Sequence, residues 1–224
     1  MRKIARGQLV QFASGLRYRL RLLNQTRVHT DRLIATRFNV FDYIEPNENR
    51  LSDIIADLLN PTGNHGQGDT FLTKFAETVC GCTISALPSP LVKREDTTSF
   101  IDNYLRRIDI LVDFRTFGIA VENKPWANDQ IDQINDYVDH LEKKFMGNFV
   151  IVYLSPNGTD PKSISVSKSK RLSSEKKLIL SAYTGLFREW LIYCYKQSKA
   201  EKIRWFLSDF GDYIEAKFIT EKNH

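Results

Sequence analysis

Residues 106–124 read RRIDILVDFRTFGIAVENK. Apolar and polar residues alternate over 105–114, and the same period of two returns after a short turn, which predicts two paired strands. Asp109 lies on the first strand, and Glu122 and Lys124 lie on the second. Because antiparallel pairing brings the residues of neighbouring strands within a few ångströms, the hairpin predicts that these three side chains meet.

Two carboxylates and a lysine on neighbouring strands are groups that a metal-assisted hydrolysis can use. Carboxylate oxygens suit hard cations such as Mg²⁺ or Mn²⁺. Asp109 and Glu122 are therefore candidate metal ligands, and the backbone carbonyl of Asn123 is a further candidate. Lys124 could position or deprotonate the attacking water, or hold the scissile phosphate. The alternative is a salt bridge on a solvated face, in which Asp109 or Glu122 pairs with Lys124 or Arg107.

A helix with clear end signals is predicted over 46–61, PNENRLSDIIADLLNP. Asn47 is the candidate N-cap and Pro61 closes the segment. Glu48 continues the inward apolar stripe at the first turn, where the helix dipole stabilises a carboxylate. From the helix alone, Glu48 is a solvated acid; together with the hairpin, we interpret it as a site residue.

A second helix is predicted over 126–145, with an inward stripe that starts at Ile131. It carries Gln133 and Tyr137 four positions apart, and therefore on one face. A buried strand over 148–156 follows. A helix between a hairpin and a further strand predicts a mixed sheet with a crossover connection.

The rest of the chain is predicted to hold a loop or weakly ordered segment over 157–177, a last strand at KLILSAY (177–183), and two helices over about 183–197 and 199–219. Aromatic residues at helical spacing are usually core residues. The predicted core aromatics of these helices are Trp190, Trp205, Phe206, Phe210 and Phe218.

Positive charge is concentrated at the N-terminus. The chain has a net charge of +5 and a pI of about 9.0, and residues 1–37 alone hold nine basic residues and one acid. Apolar spacing predicts a helix over 7–23 and a second piece over 28–38. Such a face attracts polyphosphate, and the alternative is a solvated helix face. The candidate nucleic-acid contacts are Arg17, Arg19, Arg21, Lys168, Lys170 and Arg171.

Composition favours an intracellular globular protein. No run of about 18 apolar residues is present, so no membrane span is expected. The N-terminus lacks the apolar core of a signal peptide. The three cysteines (Cys80, Cys82 and Cys194) are not in a zinc-like spacing, and free thiols in a reducing cytoplasm are expected.

The motifs together resemble the PD-(D/E)XK nuclease superfamily, specifically its small bacterial and phage members with an E-N-K lysine motif. Over roughly 40–155 they occur in this order: Glu48-Asn49 with Ser52, ADLLNP (56–61), His65-Gly66, Phe71-Leu72, Glu95, RRIDI (106–110), VENK (121–124) and Gln133-x-x-x-Tyr137. The family aspartate is often preceded by proline, whereas Ile108 stands at that place here.

The resemblance implies a role for each matched residue. Asp109 and Glu122 are implied as metal ligands, and Lys124 is implied as the catalytic lysine. Glu48 is implied as a further acidic ligand from the preceding helix. The implied supporting residues, which steady the site, contact DNA or lie beside it, are Glu95, Gln133 and Tyr137.

The implied fold is α/β, with a restriction-endonuclease-like mixed sheet of four to five strands flanked by helices, and extra N- and C-terminal helices. The whole chain, 1–224, would be a single nuclease domain. Its core would span 40–155, between a basic helical addition (1–40) and a loop with C-terminal helices (156–224). These additions could close the DNA cleft or build a homodimer.

The expected activity is hydrolysis of DNA phosphodiester bonds with Mg²⁺ or Mn²⁺ as cofactor. A role in defence against phage or foreign DNA is expected from the resemblance alone. The alternatives are an RNase, or a non-catalytic nucleic-acid-binding or interaction module on the same fold. The complete set of Asp109, Glu122 and Lys124 favours the enzyme.

Overall fold

The computed structural model describes residues 2–35, 37–98, 106–126 and 129–219. The chain divides into two compact units after residue 40. The first unit contains one helix, α1 (Arg2–Ile34), where apolar spacing predicted two helical pieces. The helix runs on because residues 24–27, NQTR, contain no proline or glycine that would end it.

A mixed five-stranded sheet forms the centre of the second unit. Its strands are β1 (Leu91–Thr97), β2 (Arg107–Asp113), β3 (Gly118–Asn123), β4 (Phe149–Ser155) and β5 (Leu178–Ala182), and they lie side by side in this order. The pairs β1–β2 and β2–β3 are antiparallel, and the pairs β3–β4 and β4–β5 are parallel. This sheet with flanking helices confirms the predicted α/β, restriction-endonuclease-like fold.

The helices of the second unit pack on both faces of the sheet. They are α2 (Phe41–Ile44), α3 (Glu48–Leu59), α4 (Thr70–Phe75) with a π-helical continuation (Ala76–Cys80), α5 (Gln133–Phe145), α6 (Val166–Ser174), α7 (Leu186–Gln197) and α8 (Glu201–Ile219). The crossover helices α5 and α6 share one core cluster with β2, β3, β4 and β5, whereas α4 contacts both α3 and α7. Within the described ranges, we find no helix with the length and apolar character needed to span a bilayer.

The central strands are covered on both faces. Every residue of β3 and β4 is buried, as expected for strands between two helical layers. Gly118 begins β3 directly beneath Phe145 of α5, and a methyl group at this glycine would overlap the phenylalanine ring. The glycine thus lets α5 pack closely on the strand that carries Glu122.

The helix predicted over 126–145 begins later than expected. α5 starts at Gln133, and Ile131, predicted to point inward, is 85% exposed; residues 127–128 lie outside the described ranges. Asp132 has a left-handed backbone with φ of 58°, which is incompatible with continuing a helix towards the N-terminus. The carboxylate of Asp129 accepts hydrogen bonds from the backbone N–H groups of Lys162 and Ser163 at 2.6 and 3.3 Å, and so holds this segment outside the helix.

The segment predicted as a loop over 157–177 contains helix α6. Its N-cap is Ser165, whose side chain accepts from the backbone N–H of Lys168, and its one buried residue is Leu172. β5 lies within the last strand predicted at 177–183, and it pairs with β4 at the edge of the sheet.

The aromatic residues of α7 and α8 lie mostly in the core, as predicted. Trp190, Phe210 and Phe218 are buried. The prediction was wrong for Trp205, which is 53% exposed and donates a hydrogen bond to Glu201 on its own helix.

Candidate active site

The adjacent ends of β2 and β3 bring the predicted acids and lysine together. The last pair at this end of the β2–β3 ladder is Ile110 with Val121. The next position of the same register places Asp109 opposite Glu122. The backbone N–H of Asn123 donates to Oδ2 of Asp109 at 2.9 Å. Nζ of Lys124 lies 2.6 Å from Oε1 of Glu122. The hairpin geometry expected from the sequence is therefore present.

Glu48 reaches the same cluster from α3. It is the first residue of that helix, after the N-cap Asn47, whose side chain accepts from the backbone N–H of Arg50 as the sequence predicted for a cap. Oε1 of Glu48 lies 3.4 Å from Nζ of Lys124. The lysine thus contacts one carboxylate of the hairpin and one of the helix.

Burial controls the charges of the cluster. Glu122 is 1% exposed, and burial, together with the nearby charge of Asp109, raises its pKa to about 8. Burial likewise raises the pKa of Asp109 above its usual range. Burial disfavours the charged form of Lys124, but the charges of Glu122, Glu48 and Asp109 outweigh this and raise its pKa to about 12. The lysine is therefore an ammonium ion at neutral pH, beside acids that repel one another.

The cluster fits a divalent cation held by Asp109 and Glu122. Oε2 of Glu122 is buried and has no hydrogen-bond partner among the described residues, and ionised carboxylate oxygens are ligands that hard cations prefer. No group of three or more His, Cys, Asp or Glu side chains in the described ranges is arranged to hold a metal ion. The Lys124 ammonium contacts both Glu122 and Glu48. The roles of Glu48 and of the Asn123 carbonyl as metal ligands stay predictions.

Helix α5 supports Glu122 from one side. Nε2 of Gln133 donates to Oε1 of Glu122 and to the hydroxyl of Tyr137, each at 2.8 Å. The Tyr137 hydroxyl donates in turn to the backbone carbonyl of Arg107 on β2, at 2.5 Å. The structure thus brings Gln133 and Tyr137 to the cluster, where they fix one oxygen of Glu122 and leave the other unpaired.

The side chain of Asn123 points to the other face of the sheet and fixes α3. It is fully buried. Its Nδ2 donates to Oγ of Ser52 at 2.8 Å and to the backbone carbonyl of Glu48 at 3.3 Å. Its Oδ1 accepts from the hydroxyl of Tyr183. Asn123 therefore ties the strand of Glu122 to the helix turn that presents Glu48.

We expect the variant Asn123→Ala to lose about 1–3 kcal/mol of unfolding free energy, because it leaves the buried hydroxyls of Ser52 and Tyr183 without this partner. Urea unfolding measures the loss. The matched control is Asn64→Ala, since Asn64 is exposed and its side chain makes a single long bond of 3.4 Å to Asp57. Equal stabilities of the two variants would show that the buried network contributes nothing.

Glu95 does not join the cluster, although it was expected beside the site. It is the one residue of β1 without a partner in the β1–β2 ladder, although the register is the same on both sides of it (Arg94 with Ile110, Asp96 with Ile108). Its backbone is left-handed, with φ of 50°, and its exposed carboxylate pairs with the exposed Arg107 at 3.0 Å. Arg94 is the strand residue near the site instead: it donates to the backbone carbonyl of Asp109 and pairs with Asp53 of α3 at 2.9 Å.

The predicted nucleic-acid contacts fall into two groups. On α6, Lys168 pairs with Asp139 at 2.6 Å and Arg171 pairs with Glu142 at 2.5 Å, so acids of α5 balance both charges. Lys170, between them in sequence, is exposed. The remaining candidates are exposed on α1 of the first unit: Arg17, Arg19 and Arg21.

Ser52, quoted in the motif match, lies one helical turn after Glu48 and on the same helix face. Two other residues around the site carried little signal in the sequence. Arg94 contacts Asp53 across 41 positions of sequence. Tyr183 contacts Asn123 across 60 positions of sequence, and no local pattern indicates such a contact.

Comparison with known proteins identifies the family. No curated protein and no solved structure is significantly similar to the chain. A family model described as PD-(D/E)XK nuclease superfamily matches residues 38–212. This match covers most of the chain and includes Glu48, Asp109, Glu122 and Lys124. The chain therefore belongs to the PD-(D/E)XK nuclease superfamily.

Proposed function

We propose that the chain is a metal-dependent nuclease that hydrolyses phosphodiester bonds of DNA, with Mg²⁺ or Mn²⁺ as its cofactor. The observation that carries the proposal is the unpaired buried oxygen of Glu122 beside Asp109 and the Lys124 ammonium. A bound divalent cation polarises the phosphodiester and lowers the pKa of the attacking water.

The protein groups have separate roles in this reaction. Asp109 and Glu122 hold the cation, and Gln133 fixes the orientation of Glu122. Because Lys124 is an ammonium ion at neutral pH, it donates hydrogen bonds to the scissile phosphate and balances its charge. Glu48 holds the ammonium from the other side and so directs it into the site.

We expect the protein to cleave DNA in the presence of Mg²⁺ or Mn²⁺ and not in EDTA. Supercoiled plasmid, single-stranded DNA and RNA of matched length are the substrates. Asp109→Asn should lose cleavage by a factor of about 10³, because it removes one of two charged ligands. The control is Asp113→Asn on the same strand, where the acid pairs with Lys144 at 3.2 Å outside the cluster.

The assay separates the proposal from its alternatives. Binding of nucleic acid without cleavage under any metal condition would indicate a non-catalytic module. Preferential cleavage of RNA would indicate an RNase.

The setting of the reaction is proposed from the resemblance and from the state of the cysteines. Defence against phage or foreign DNA follows from the resemblance, and a homodimer is a second expectation. The three cysteines are free thiols in the structure, which supports action in a reducing cytoplasm.

A further inference from the structure

A cavity of about 210 Å³ opens beside the candidate active site, and we call it the Trp126 cavity. Its wall includes Lys124 of the cluster and Tyr153 of β4. Tyr153 is the register partner of Glu122 across the β3–β4 ladder. The cavity therefore adjoins the groups proposed to hold the scissile phosphate.

A supported aromatic ring forms one side of this cavity. The Trp126 indole is 46% exposed. Its inner side packs on Phe218 of α8, with ring centroids 5.9 Å apart. Phe218 in turn stacks on Tyr183 at 4.3 Å, and the Tyr183 hydroxyl donates to Asn123. The column of rings thus fixes Trp126 relative to the active-site strand.

The other side of the cavity is a loop that is held in place by hydrogen bonds. Asp129 accepts from the backbone N–H of Lys162 at 2.6 Å and from the hydroxyl of Tyr153 at 2.7 Å. The side chain of Ser155 accepts from the backbone N–H of Thr159 at 3.1 Å. The cavity is consequently formed before any ligand arrives, which lowers the entropic cost of binding.

The size and chemistry of the cavity suit one flat ring system. Pockets for drug-sized ligands occupy about 300–1,000 Å³, and this one is smaller. Pro156 and the Trp126 ring supply flat apolar surfaces, while Asp160 and Lys162 supply exposed polar groups at its rim. A nucleobase presents both an apolar face and polar edges, so it matches these walls.

We propose that the Trp126 cavity receives one unpaired nucleobase next to the phosphodiester held at Lys124, so that the protein acts preferentially on single-stranded or locally unpaired nucleic acid. This inference rests on the proposed nuclease function. A base in a duplex is stacked and paired, and it would have to leave the stack to reach the cavity. An unpaired base has no such cost, and its stacking on Trp126 adds affinity.

The test measures binding without metal, so that it does not depend on cleavage. Fluorescence anisotropy in EDTA compares a labelled single strand with a duplex of the same sequence, for wild type, Trp126→Ala, Trp126→Phe and Trp205→Ala. Wild type should prefer the single strand. Trp126→Ala should weaken single-strand binding about 5- to 100-fold, the usual cost of losing one stacking ring, and reduce the preference accordingly. Trp126→Phe should keep most of the preference, because a phenyl ring retains a π face.

Trp205→Ala is the matched control, since Trp205 is a similarly exposed tryptophan outside the cavity. Its single-strand preference should equal that of wild type. Equal weakening of both substrates by Trp126→Ala, or no preference in wild type, would overturn the proposal. If the protein never cleaves but prefers the single strand through Trp126, the base-binding role of the Trp126 cavity is supported and the nuclease function is refuted. If the protein cleaves but shows no preference for the single strand, the nuclease function is supported and the role of the cavity is refuted.

Discussion

Replacing Lys124 by methionine should reduce the rate of DNA cleavage by a factor of about 10³ or more, because groups that stabilise transferring phosphates are worth about 10²–10⁵ in rate. Methionine retains the apolar stem of the side chain but lacks the ammonium. The substituted position is 8% exposed and lies between Glu122 and Glu48, so the variant leaves these two carboxylates without their shared cation. Steady-state kinetics should place the loss mainly in kcat.

The matched control is Lys144→Met. Lys144 also bridges two carboxylates, those of Asp96 and Asp113, at 3.2 Å each, and it lies outside the cluster. Both variants remove a lysine from between two acids, so both should lose some stability, but only Lys124→Met should lose activity. A rate within tenfold of wild type for Lys124→Met would refute the assigned role.

The hairpin and its two flanking helices could be predicted because their signals are local. The period of two around Asp109 indicates a strand, and the spacing of Gln133 and Tyr137 indicates one helix face. The cap of α3 was equally visible at Asn47. Each of these inferences needs only neighbouring residues, and each is confirmed by the observed elements.

Features that depend on tertiary contacts could not be predicted in this way. The left-handed backbone at Glu95 removes this residue from the β1–β2 ladder, and its carboxylate pairs with Arg107. Nothing in the sequence LVKREDT shows where the ladder is interrupted. Helix α6 has only Leu172 buried, so its apolar signal is weak, and its ion pairs with α5 are visible only in the fold. Asn123 was expected to act through its carbonyl, and its side-chain role depends on the distant Tyr183.

The second large effect is expected for Glu122→Gln. This variant should lose cleavage by a factor of about 10³, because it removes a charged metal ligand. It keeps an oxygen that can accept from Gln133 and Lys124 at the position of Oε1. The packing of the site should therefore survive, and stability can be compared directly with that of wild type.

The stability difference between Glu122→Gln and wild type should depend on pH. Burial raises the pKa of Glu122 from 4.5 to about 8 in the folded protein. Between these values the folded state binds more protons than the unfolded state, so the stability of the wild type falls as pH rises, by about 1.4 kcal/mol for each unit of pKa difference. Glutamine does not titrate, so the variant should gain on the order of 3 kcal/mol relative to wild type between about pH 5.5 and about pH 8.5.

Urea unfolding in EDTA at the two pH values measures this gain. The control is Glu142→Gln. Glu142 is half-exposed at the surface, and among the described residues its ion pair is with Arg171. A constant difference between Glu122→Gln and wild type would mean that Glu122 is ionised throughout, and the raised pKa of Glu122 would be wrong.

Added Mg²⁺ should stabilise the wild type at the higher pH and leave Glu122→Gln almost unchanged, since a ligand stabilises only the state that binds it. Stabilisation of both proteins alike would place the cation elsewhere. The same buried carboxylate would thus lower the stability of the metal-free protein and provide the site for the cation.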